Sequence, residues 1–149
     1  MVSLDELRKF HIFSRLTDKE LENILPIIKK EKYETGKRVI EEKSEAPKLF
    51  LVLEGRASIK KRGGFGKREM VIDDALPGEI FGWSAIAAPH TYTAAVITTE
   101  RSVFLTIDSN SLLNLFEQNK DIGYKVMAEI ASVISSRFRK VIGQFVSYL

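Results

Sequence analysis

The chain has no cysteine, and only 2 of its 149 residues are histidine. Without thiols there is no disulfide scaffold, no thiolate zinc site and no cysteine nucleophile, and the redox compartment is left open. Two histidines leave little for metal chemistry, because imidazole is the commonest metal ligand. His11 and His90 are far apart, with no matching carboxylate pattern, so both read as surface or turn residues and no metal site is expected. Long apolar runs are missing too: none reaches the roughly 18 residues of a membrane span, and Ala85–Ala88 meets Pro89 and His90 at once. At the start, Asp5 and Glu6 stand where a secretory signal carries a basic end. These absences point to a soluble, cytoplasmic protein that makes no membrane contact.

Charge of one sign is also scarce. Against 23 Lys and Arg stand 20 Asp and Glu, a net +3 that is spread along the chain. So small an excess is weak evidence for nucleic acid or acidic lipid. Lys29-Lys30, Lys60-Lys61-Arg62, Lys67-Arg68 and the trio Arg137, Arg139 and Lys140 read as solvated faces. No Ser-His-Asp or Cys-His set occurs, nor a Gly-Lys-Ser phosphate loop, so no enzyme is expected. What is present is globular composition, 44% hydrophobic and 29% charged, with a length suited to one domain over 1–149.

That domain divides into three stretches. Over 1–32, Thr17-Asp18-Lys19-Glu20 has the form of a capping box, followed by Leu21, Ile24, Leu25 and Ile28 at helical spacing. Pro26 predicts a kink or break in that stripe. Phe10, Phe13 and Leu16 read as packing residues on a short helix or turn ahead of it. Over 33–107 short β-rich runs alternate with turn signals. Lys48–Leu53 is almost continuously apolar, Gly63-Gly64-Phe65-Gly66 predicts a hairpin turn, and Pro77-Gly78 another. Met70–Ile72, Tyr92–Thr98 and Ser102–Ile107 complete the series. Many short strands argue for a sandwich, roll or barrel and against a parallel sheet. Over 108–149 the chain turns helical, with Asp108 and Asn119 as caps. The class is mainly β with flanking helices, an α+β arrangement.

The order of these elements resembles the cyclic nucleotide-binding domain family, as in the catabolite activator protein and the regulatory subunits of protein kinases. The resemblance rests on Gly36 with Val39-Ile40, on Phe50–Gly55, on Pro77-Gly78-Glu79-Ile80-Phe81-Gly82, and on Ser102–Ile107 before a capped helix. It implies a jelly-roll-like β-roll (a double-stranded β-helix), N-terminal helices, a long C-terminal helix, and a regulatory, ligand-sensing role in signal transduction. The family often has glycine where Lys43 stands, so that turn is expected to be built differently.

The cassette residues depart from the pattern. The resemblance puts a ribose-holding glutamate where Trp83 stands, after Gly82, and a phosphate-binding arginine where Tyr92 stands. Thr93 and Ala94 keep the small residues that follow. Glu79 is not expected to replace the glutamate, since its position lies outside the pocket. A pocket is expected between Gly82-Trp83-Ser84-Ala85 and Tyr92-Thr93-Ala94. Gly82–Ala85 is expected to open a short helix whose free N–H groups attract an anion. The ligand is then a cyclic nucleotide bound in a non-standard way, another anionic small molecule, or nothing. Trp83 either lines that pocket or fills it, Tyr92 points its hydroxyl at a ligand or its ring into the core, and Ser84 and Thr93 act as donors or as cap and turn residues.

The last helix carries Ile130, Ile134, Phe138, Val141 and Phe145 at helical spacing. It reads as the helix of a homodimer or as a cover for its own roll, and its length favours the dimer. The sequence ends at Leu149 with no room for a recognition helix, so direct DNA binding is not expected and a protein effector is. If the pocket is filled, the domain is a degenerate dimerisation or docking module.

Overall fold

Strand β3 (Lys48–Glu54) sets the plan of the molecule, because its alternate side chains enter two different cores. Successive strand residues point to opposite faces, so a run that is apolar throughout needs cover on both. Leu49 and Leu51 pack with the helices, while Phe50 and Val52 pack between the sheets. The computed structural model describes residues 1–64 and 68–149.

Eight strands form two four-stranded sheets among the described residues. One runs β1 (Ile28–Tyr33), β8 (Ser102–Asp108), β3, β6 (Ile80–Phe81). The other runs β2 (Arg38–Ile40), β7 (Ala95–Thr98), β4 (Ala57–Arg62), β5 (Glu69–Ala75). Neighbouring strands pair antiparallel throughout. This is the β-roll with flanking helices that the resemblance implies, one of the three architectures the strand pattern left open. Between the sheets Phe50 stacks on Phe81 at 4.8 Å, and Phe104 meets Phe81 edge-on at 5.1 Å. The Glu54-Gly55 turn depends on glycine: φ is +92°, and a Cβ there would lie 2.2 Å from Ser102 Oγ. β4 and β5 pair as far as Arg62 and Glu69, but the glycine-rich turn predicted there includes residues 65 and 66, which lie outside the described residues.

The helices close the other face. α1 (Leu4–Leu7) starts at a Ser3–Glu6 capping box that sequence reading missed, and α2 (Asp18–Ile24) starts at the Thr17–Glu20 box that it found. Phe10, Phe13 and Leu16 are buried around a 3-10 turn at His11–Phe13. Asp108 caps α3 (Ser109–Gln118) and Asn119 caps α4 (Lys120–Ser147), each accepting a backbone N–H three residues on.

Three expectations need correction. Pro26 does end the helix, in a 3-10 turn over Leu25–Ile27, but Ile28 then opens β1 instead of extending the helical stripe. The sheet therefore begins five residues before Tyr33, which is the last residue of β1. Tyr92–Ala94 precede β7, which begins only at Ala95. Lys43 itself takes the left-handed conformation, φ +70°, so its turn needs no different construction.

A candidate ligand cleft

Gly82 positions the candidate cassette. Its φ of +77° lets the chain leave β6 and enter a single 3-10 turn, Trp83–Ile86. A Cβ at Gly82 would press on Phe50, the Lys48 carbonyl and Tyr92 at 3.2–3.3 Å, so the segment lies close against the roll. The short helix expected here is thus one turn of 3-10 geometry, closed by Ala85 N–H donating to the Gly82 carbonyl at 3.2 Å. One such turn sums too few peptide dipoles to hold an anion unaided.

Tyr92 faces this turn from the other side. Its ring is buried, and its hydroxyl donates to the Lys48 carbonyl at 2.6 Å while accepting the Lys48 N–H at 3.2 Å. Burial pushes the phenol up to about 12, partly offset by the Lys48 backbone, so it stays neutral at physiological pH. The hydroxyl therefore serves the strand. Thr93 is exposed, and its carbonyl accepts Lys61 Nζ at 2.7 Å. Ser84 and Ala94 are half-buried and Ala85 is buried.

Between these segments lies a cleft with about 80 Å³ of free volume. Gly82, Trp83, Ser84, Tyr92, Thr93 and Ala94 line it, and of the expected residues only Ala85 does not. Ile40, Ile59, Ile72, Phe81 and Val96 supply the remaining apolar wall. Trp83 is half-buried and packs against the helix-side core.

The sequence hid one lining residue. Arg137 reads locally as part of a solvated basic face, yet its side chain is only 12% exposed. It comes from α4, and its guanidinium carbon lies 4.7 Å from the centre of the Trp83 ring. Its Nε forms an ion pair with Asp73 Oδ2 at 2.7 Å, and Lys140 Nζ holds the other Asp73 oxygen at 2.6 Å. No local pattern in the sequence announces this contact between α4 and β5. Arg137 also separates the cleft from a wider groove of about 440 Å³ between α4 and the roll, where Glu79 lies, outside the cleft as expected.

His90 is a turn residue, its Nδ1 3.1 Å from the Ala85 carbonyl, and His11 is an exposed partner of Glu129 at 3.0 Å. Among the described residues no group of three His, Asp or Glu gathers to hold a metal. No helix among them is long and apolar enough to cross a membrane.

The profile of the cyclic nucleotide-binding domain matches residues 30–119, more than half of the chain. The chain belongs to the cyclic nucleotide-binding domain family. A cyclic nucleotide-binding protein from Geobacter metallireducens is 28% identical, with 93% of this chain and 99% of that one covered and a TM-score of 0.80. A cyclic nucleotide-binding domain from Methylobacillus flagellatus is 17% identical, with 98% and 82% covered and a TM-score of 0.86. The catabolite activator protein of Thermus thermophilus is 19% identical, with 92% and 62% covered and a TM-score of 0.75. The last two likenesses are of fold.

Proposed function

We propose that this domain is a regulatory small-ligand sensor whose cyclic nucleotide binding is non-standard or lost, and that it works as a homodimer signalling to a protein effector. The observation that carries this reading is the pair Trp83 and Tyr92. They stand where the family resemblance implies glutamate and arginine, and the Tyr92 hydroxyl is occupied by the Lys48 backbone. A charged hydrogen bond contributes about 1.5–3 kcal/mol, so losing both weakens a cyclic nucleotide by on the order of a hundredfold or more. The dimer reading rests on α4. From Met127 through Ala131, Ile134, Phe138, Val141 and Phe145 the steps alternate between four and three residues, the spacing of a two-helix seam.

A second reading is favoured by the small volume of about 80 Å³, well below the roughly 300 Å³ where drug-sized sites begin. On that reading Trp83 fills the site, and the domain is a dimerisation or docking module.

Calorimetry against cyclic AMP, cyclic GMP and cyclic dinucleotides tests the nucleotide argument. The wild type is expected to bind weakly or not at all. Trp83→Glu with Tyr92→Arg is expected to gain about a hundredfold for cyclic AMP, with Trp83→Glu alone as the milder variant should buried arginine disturb the fold. Micromolar binding by the wild type would overturn the reading of Trp83 and Tyr92.

A further inference from the structure

The walls of the cleft describe its ligand. They are apolar apart from the Ser84 and Thr93 hydroxyls and Arg137, and no carboxylate lines the cleft among the described residues. For the hydroxyls of a sugar the described lining side chains offer only neutral hydroxyl acceptors and no carboxylate, while apolar and aromatic surface abounds. Among the described residues that line it, the one cation comes from α4 and lies over the Trp83 ring. Its present hold on the protein is divisible. Nε has Asp73, whereas Nη1 reaches only the Ile80 carbonyl, at 3.4 Å.

Asp73 can spare it. The carboxylate is 5% exposed, so it needs partners, but Lys140 Nζ and the Asp74 N–H at 2.9 Å serve the same oxygen, Oδ1. A guanidinium that moved to a new carboxylate would leave Oδ1 paired but take from Oδ2 the ion-pair partner it has, a cost that the contact with the ligand has to offset. A planar carboxylate matches the guanidinium fork in a bidentate pair, as a phosphate also does, and is the smaller of the two for a cleft of about 80 Å³.

We propose that Arg137 is the anion-receiving residue of the cleft, and that the ligand is a small aromatic monocarboxylate whose ring lies against Trp83 and whose carboxylate takes Arg137 from Asp73. This rests on reading the cleft as a ligand site. It supplies what the cassette lacks, a cation, from outside the cassette. It also links occupancy to output, because Arg137 is one of two residues fastening that part of α4 to Asp73 and is the immediate neighbour of Phe138. An occupied cleft thereby loosens the helix that carries the seam.

Trp83 is the only tryptophan, so its fluorescence reports on the site. The full chain is titrated with phenylacetate, with its neutral amide, and with cyclic AMP. Phenylacetate is expected to shift the emission saturably and to bind about tenfold or more tighter than the amide, the worth of one charge-assisted contact. Arg137→Gln is expected to abolish that preference. Asp73→Asn is expected to strengthen phenylacetate binding by releasing Arg137. Lys140→Gln, which removes the other anchor without touching the cleft, is expected to keep the preference, and circular dichroism checks the fold of each variant. If Arg137→Gln binds phenylacetate as well as the wild type, Arg137 is not the receiver, though the cleft still takes ligands. If Asp73→Asn weakens the anion, the exchange is wrong. If neither aromatic probe gives a saturable response at millimolar concentration, the proposal falls; saturable cyclic AMP binding in the same series would spare the ligand-site reading, and its absence would end that too.

Discussion

The two halves of α4 carry the same apolar period and meet different surroundings. In the first half Ile122, Val126 and Ile130 are buried in the helix-side core, and Gly123 is closed over by α3, where a Cβ would meet Phe116 Cβ at 2.9 Å. In the second half Phe138 is 65% exposed and Phe145 is 61% exposed. Beyond Ile134 the ties to the roll are polar, Arg137 and Lys140 on Asp73. One helix is thus a wall of the core along half its length and a lightly fastened arm along the rest. Periodicity marks a face to be buried; only the fold says whether the cover is internal.

Ile130 divides the halves most sharply. It was expected on the dimer face with Phe138 and Phe145, but at 1% exposure it belongs to its own core. Ile130→Ala is expected to cost about 2–5 kcal/mol in denaturant unfolding, whereas Phe145→Ala in dilute solution should cost about 0.5 kcal/mol or less. Equal costs would erase the distinction. Phe138→Asp with Phe145→Asp sharpens it from the other side. Sedimentation is expected to fall from twice the 16.9 kDa chain mass to a single chain mass, with the circular dichroism spectrum kept.

Smaller effects come with pH, and they have opposite signs in the two halves. Lys125 of the first half holds Glu20 at 2.9 Å. The Thr17 backbone hydrogen bond and then Lys125 hold the Glu20 carboxyl below its usual range. A lowered acid stabilises the fold above its unfolded pKa, and that contribution is lost as pH falls through the lowered value. In the second half the hydrogen bond to Asp73 raises the Lys140 ammonium above its usual range. Its contribution is complete below the unfolded pKa and is lost as pH rises through the raised value. Denaturant midpoints measured against pH should lose an acid-side component in Glu20→Gln and an alkaline-side component in Lys140→Gln.

Much of the fold was legible because local chemistry specified it. Thr17 with Glu20, Asp108 and Asn119 announce helix starts through their own hydrogen bonds, and the run at Lys48–Leu53 announces a strand buried on both faces. Ile28 misled because it continues an apolar stripe across Pro26, while Lys29, Lys30 and Lys32 disguise β1 with solvent-facing charge. Lys43 misled because a lysine in the left-handed region leaves no mark in the sequence. The residues of the cassette pattern, Ala85 apart, line one cleft, but the cation beside them was not part of that pattern. Arg137 reaches Asp73 and Trp83 only through the packing of α4, 64 and 54 residues along the chain from them.

Amide hydrogen exchange along α4 tests this account most directly, since protection follows local opening residue by residue. In dilute protein, residues 122–130 should exchange at the rate of global unfolding and residues 138–147 much faster. Raising the concentration should slow the second group alone, as the seam closes. Uniform protection along the helix in dilute protein, unchanged by concentration, would contradict the division of α4 into wall and arm.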